Sequence, residues 1–139
     1  MAGWSIPPTA FINEIESELS RQARAIAMAL LGEIVRRSPV DTGRFRGNHT
    51  VSIGAPVFAT TANIDKDGAA TIAAGQAVLA GLKPYTQIFL QNNLPYAEKL
   101  ELGQYKGPTN KVDEQGFSRQ ARGGVYGLAF AGVAAAYAS

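Results

Sequence analysis

An unbroken helical pattern near the start of the chain limits the fold more than any other feature. From Thr9 to Arg37, the residues Phe11, Ile15, Leu19, Ala23, Ile26, Leu30 and Ile34 recur at three- and four-residue steps and form one apolar stripe. Glu14, Glu16 and Glu18 lie towards the positive end of this helix, and Arg36 and Arg37 at its negative end, as the helix dipole favours. Glu33 precedes Arg37 by one turn, a supportive ion-pair spacing. Pro39 stops the pattern. At 1.5 Å per residue the helix is about 43 Å long. A compact chain of 139 residues has a radius of gyration of only about 14 Å. The helix is as long as the domain, so it lies across a sheet end to end or projects beyond it.

The remaining segments are short. Residues 1–8 read as an N-terminal arm, since Gly3, Pro7 and Pro8 disfavour regular structure, and residues 9–139 read as a single domain. Trp4 on that arm is a candidate anchor, either on its own domain or on a neighbouring subunit. Asp41-Thr42-Gly43 predicts a turn, and the alternation from His49 to Ile53 predicts a strand. Asp67 is placed to cap an Ala-rich helix from Gly68 to Ala80, with Gly81 as its left-handed stop. Tyr85–Leu90 is β-rich, and Asn92-Asn93-Leu94-Pro95 predicts a turn. Tyr96–Leu102 predicts a short helix ended by Gly103, and 104–117 a polar loop. The last helix is expected from about Gly123 to Ala138, with Gly127/Ala131 and Gly132/Ala136 as close-packing pairs.

Composition removes several chemistries. With no cysteine there is no disulfide framework, thiolate zinc site or thiol nucleophile. With one histidine, a Ser-His-Asp triad would have to use His49, which at the start of a strand reads as a surface or partly packed residue. No phosphate-binding glycine loop and no nucleophile elbow is present. Asp41-Thr42-Gly43 matches the catalytic tripeptide of dimeric aspartic proteases. Here it sits among Arg36, Arg37, Arg44 and Arg46, whose charges oppose the shared proton that chemistry needs. Charge is unevenly spread. Residues 1–20 carry three Glu and no Lys or Arg, whereas 21–46 carry six Arg against Glu33 and Asp41. Nucleic-acid binding through Arg21, Arg24, Arg36, Arg37, Arg44 and Arg46 is the basic-patch alternative. The start of the chain lacks the basic and apolar regions of a signal peptide. The uncharged stretch from Gly123 to Ser139 is shorter than the roughly 20 apolar residues that span a membrane. A cytosolic protein is expected, with no membrane partner.

Three segments, in order, resemble one family. Ser38-Pro39-Val40-Asp41-Thr42-Gly43-Arg44-Phe45-Arg46-Gly47-Asn48, followed by Val51-Ser52-Ile53-Gly54, is similar to the "PVDTG-x-L/A-R" segment of small tail and neck proteins of long-tailed bacteriophages. Ile88 to Gly103, containing Asn93, Pro95, Tyr96, Glu101 and Gly103, resembles their "N-x-x-P-Y-A-x-x-L-E-x-G" segment. Ser118-Arg119-Gln120-Ala121-Arg122-Gly123-Gly124-Val125 resembles the "S-x-Q-A-P-x-G-M" segment that opens their last helix, with Arg122 in place of the usual proline. The 104–117 loop is longer than that family pattern has.

The resemblance implies an α+β fold, with a long N-terminal helix and a C-terminal helix packed on a small, mostly antiparallel sheet. It implies a structural virion protein at the neck or head-proximal end of the tail, assembled in the host cytoplasm. No catalytic residue, metal or cofactor comes with it. The implied partners are copies of the chain itself in a ring, with a hexamer expected, the tail-tube or tail terminator protein, the head-tail connector, and DNA crossing the lumen. A tail terminator ring is the alternative within the family. The motif residues Pro39, Asp41, Thr42, Gly43, Arg44, Arg46, Asn93, Pro95, Tyr96, Glu101, Gly103 and Gln120 are the candidate assembly residues.

Overall fold

The computed structural model describes residues 8–40 and 43–137, the side chains of 8–11 aside. Helix α1 runs from Pro8 to Arg37, and α2 is one turn, Arg44–Gly47. Strand β1 (His49–Ile53) and helix α3 (Ala69–Leu79) follow. Strand β2 (Ile88–Asn92), α4 (Ala97–Leu102) and α5 (Tyr126–Tyr137) complete the order. The architecture is α+β, with β1 and β2 forming a two-stranded antiparallel sheet in which His49 faces Asn92 and Ile53 faces Ile88.

Helix α1 begins at Pro8, one residue before the expected start. Proline fits the first helical position, where the N–H has no intrahelical partner in any case. Only part of the predicted stripe is covered. Ile34 is buried and Leu30 half-buried, but Ile15, Leu19 and Ile26 are exposed. Phe11 lies among the side chains not described. The buried apolar positions are Ala27, Leu31, Ile34 and Val35. They share only Ile34 with the predicted stripe, because α1 is packed on two flanks, by α3 and by α5.

Each flank has its own core. On one side Ala27, Leu31 and Val35 meet Val51 of β1 and Leu79 of α3. On the other, Ile34 meets Phe45, Leu94, Leu100, Ala121, Val125 and Ala129. Leu90 of β2 packs against both, so the small sheet sits at the seam.

Several boundaries differ from expectation. Strand β2 is shifted towards Asn92, because Tyr85 has a positive φ of 61° and breaks the extended run, while Asn92 pairs with His49. Gly81 is not a left-handed stop. Helix α3 instead tightens, with the Gly81 and Leu82 N–H groups bonding to the carbonyls of Val78 and Leu79. Gly123 and Gly124 both have positive φ and therefore precede α5. Within α5 the packing residues are Ala129 and Val133, whereas Gly127, Ala131, Gly132 and Ala136 are exposed. The N-cap of α3 is Gly68, and Asp67 acts from one residue before it: its Oδ1 accepts the Ala69 N–H at 3.0 Å. No helix among the described residues is long and apolar enough to cross a membrane.

Candidate functional site

The three motif segments converge at the C-terminal end of α1, around His49. The Ser38 hydroxyl donates to the Ile34 carbonyl at 2.6 Å, an ordinary bond for a serine ending a helix. That uses its only proton, so it must accept from His49 Nε2, 2.7 Å away. His49 is therefore the Nε2–H tautomer, and its Nδ1 accepts from the Tyr126 hydroxyl at 2.8 Å. The Asn92 amide lies 3.3 Å from the same Nδ1. Phe45 meets the imidazole edge-on, with ring centres 4.9 Å apart. The result is a directional chain, Tyr126 to His49 to Ser38 to Ile34, that ties α5, β1 and the end of α1 together.

Burial, aided by the nearby Arg46 charge, pulls the His49 pKa down to about 3, so the ring is neutral. Burial and the neighbouring Glu101 charge push the Tyr126 phenol well above its ordinary value. Ser38 and His49 have the spacing of a nucleophile and its base. Yet the pair is buried, with Ser38 only 3% and His49 5% exposed, and the serine proton is engaged with a backbone carbonyl. The arrangement holds elements in register. Sequence reasoning read His49 as a surface or partly packed residue, and it is buried; its partners stand 11, 43 and 77 positions away, and no local signal marks them.

The motif residues take defined places around this network. Glu101, on α4, accepts the N–H groups of Val125 and Tyr126 at 2.9 and 2.8 Å through Oε1, and that of Gly127 at 3.0 Å through Oε2. It is thus the cap of α5, supplied from another helix, with its charge at the positive end of the dipole. Gly103 ends α4 in the left-handed conformation, at φ 66°, with the Phe117 ring against it. Arg46 donates to the carbonyls of Ser38 at 3.0 Å and Lys66 at 2.7 Å, joining the end of α1 to the approach of α3. Asn93 donates to the carbonyls of Val57 and Ala59 and holds the loop after β1. Gln120 Oε1 accepts the Val40 N–H at 2.8 Å, linking the first and third segments.

Gly43 has φ 79°, and its carbonyl accepts from Gly47 and Asp65. Arg44 is exposed, its carbonyl bound by Asn48, and Pro95 is exposed in the turn before α4. Trp4, Asp41 and Thr42 lie outside the described residues.

Asn48, Asn92, Tyr126 and the buried pair Asp65 and Thr71 were not singled out by sequence. Asn48 is the clearest case, since its amide group bonds to the carbonyls of Arg44 and Thr61 and to the Thr61 N–H. Burial opposes the charge on Asp65, but bonds from the Thr71 hydroxyl and N–H outweigh it and hold its carboxyl below the usual range. The Asp65-x-Asp67-Gly68 run before an Ala-rich segment was the readable sign of a doubly capped helix start.

Arginines named for a basic patch are engaged within the domain. Arg21 pairs with Glu18, Arg36 and Arg37 both pair with Glu33, and Arg46 binds carbonyls. Among the described residues no three His, Asp or Glu side chains gather in a metal-ligand arrangement.

Beside the network lies an open cleft of about 460 Å³. Pro39, Tyr96 and Gln120, one from each motif segment, line it. The 104–117 loop supplies the opposite wall through Tyr105, Asn110 and Val112.

Comparison with protein-family models, with curated proteins and with solved structures finds no match to this chain.

Proposed function

We propose that this chain is a structural virion protein of a long-tailed bacteriophage. Copies of it close into a ring at the neck or head-proximal end of the tail, completing the tail for attachment to the capsid connector. The observation that carries this reading is the apolar surface left uncovered along the longest helix. Ile12, Ile15 and Leu19 follow one another at steps of three and four, and no residue from 12 to 19 is buried. Ile26 of α1, with Phe130 and Tyr137 of α5, adds to the exposed apolar surface. Contiguous surface of this kind marks an interaction site, and a helix seam at this spacing suits another helix.

The motif resemblance supplies the place in the virion. The uneven charge supports a head-to-tail arrangement, in which an acidic segment of one copy meets a basic segment of the next. The polar residues of the motifs, Glu101, Arg46, Asn93 and Gln120, act as clamps between elements, which suits a rigid building block.

Deleting the gene from its phage should give filled heads and separate tails under negative stain. Tails of unregulated length would instead mark a tail terminator. Infectious virions from the deletion strain would refute both readings. Replacing Ile15 and Leu19 together by Asp should change unfolding free energy by no more than about 0.5 kcal/mol per site, because both side chains are exposed. The same double variant should fail to complement the deletion.

A further inference from the structure

The ring reading leaves open which parts of adjacent copies engage, and the cleft at the end of α1 offers one answer. Its floor is apolar and aromatic, formed by Phe45, Tyr96, Tyr105 and Val112. Its rim carries Lys111 and Arg119, and among the described residues no acidic one lines it. At about 460 Å³ it falls within the roughly 300–1,000 Å³ of ligand-binding pockets. An aromatic floor with a cationic, hydrogen-bonding rim suits an indole, whose faces attract cations and whose N–H needs an acceptor.

The chain has one tryptophan, Trp4. Pro8, the start of α1, lies four steps along the chain from Trp4, a main-chain reach of at most about 14 Å. The cleft begins at Pro39, beyond the other end of that helix. Thirty residues of helix place the two ends about 45 Å apart. Trp4 therefore cannot enter the cleft of its own chain. Charge agrees with an exchange between copies, since residues 1–20 carry three Glu and no Lys or Arg, while the cleft rim is cationic.

We infer that Trp4 of one copy seats in the cleft bounded by Phe45, Tyr96, Tyr105 and Val112 of the next copy. This rests on the ring reading above and makes it more specific. Knob and hole sit at opposite ends of one long helix, so the contact is heterologous and repeats from copy to copy until the ring closes. The long 104–117 loop, the chain's main departure from the family pattern, then has a use as the wall that holds the neighbour's arm.

The absence of cysteine makes the test clean. The full-length double variant S5C/N110C, which keeps Trp4, should give a ladder of disulfide-linked multimers on a non-reducing gel after mild oxidation. S5C alone and N110C alone should stop at dimers. S5C/K111C serves as a second pair should the geometry at position 110 disfavour the bond. Trp4→Ala should weaken self-association by roughly 30-fold or more, as expected of an interface anchor, and Trp4→Phe should recover most of it.

Rings of wild-type protein by native mass spectrometry, with no ladder from either pair, would overturn the docking and leave the ring reading standing. Cross-links confined to single chains would overturn it by showing that the arm reaches its own cleft after all. No ladder and no ring would also overturn it, and the neck reading would then rest on the gene deletion alone.

Discussion

Lowering pH should destabilise this domain through His49 before any carboxylate titrates. The imidazole is buried and neutral, with its pKa drawn from 6.5 to about 3 by burial and, to a smaller extent, by the Arg46 charge. In the unfolded chain it returns to about 6.5, so the unfolded state binds a proton that the folded state refuses. Stability is therefore unaffected by this group well above pH 6.5, falls as pH drops below it, and stops falling near pH 3. Each pH unit inside that window costs about 1.4 kcal/mol. Between pH 7.5 and 4.5 the loss amounts to about 2.5 kcal/mol, a large part of the 5–15 kcal/mol typical of a domain.

Urea unfolding followed by circular dichroism at pH 7.5, 6.5, 5.5 and 4.5, at one protein concentration, measures this directly. His49→Gln removes the titrating group while keeping a donor and an acceptor. It should lower stability at pH 7.5 by about 1–3 kcal/mol, for the imperfectly replaced bonds to Ser38 and Tyr126. Its free energy should then stay nearly level down to pH 4.5. The two curves should approach one another as pH falls. Equal slopes for wild type and variant over this range would refute the argument, because they would mean that His49 protonates without leaving its bonds.

Two further substitutions test the joints between motif segments. Glu101→Ala removes the acceptor of three backbone N–H groups at 2.8 to 3.0 Å and should cost about 2–4 kcal/mol, with Glu101→Gln costing about half. Hydrogen exchange should show the amides of Val125 and Tyr126 losing protection first, and unchanged protection there would contradict the cap. Gly43→Ala places a side chain at φ 79° with its Cβ 2.8 Å from both Ile64 Cγ2 and Lys66 Cγ, and should lower stability by at least about 1–2 kcal/mol. A melting temperature within a degree of wild type would show that the turn relaxes freely.

What the sequence revealed, and what it hid, divides by distance along the chain. Strand β1 was readable because His49 to Ile53 alternates, and the end of α4 because Gly103 follows a short apolar turn. Each signal lies within a few residues. Asp67 as an acceptor at the start of α3 was readable for the same reason. The buried network was not, because nothing near His49 announces Tyr126 or Asn92. The motif residues were found by resemblance alone, and their physical work as cap, clamp and cleft wall appears only when the segments meet in space.

The stripe on α1 is the instructive case, because its periodicity was correct and its burial was not. Periodicity tells which residues share a face, and burial depends on what is long enough to cover it. Helix α1 has 30 residues and spans about 45 Å, whereas α3 has 11 and α5 has 12, so each covers roughly 17 Å. Both lie against the C-terminal half, where Ala27, Leu31, Ile34 and Val35 are buried. No described element remains to cover Ile12, Ile15 and Leu19. Selection for a stable monomer alone would favour polar residues there, since each exposed Ile or Leu forgoes about 1.5–3 kcal/mol of burial. A stripe that continues past the end of the described core is the surface that the proposed contact between copies would cover.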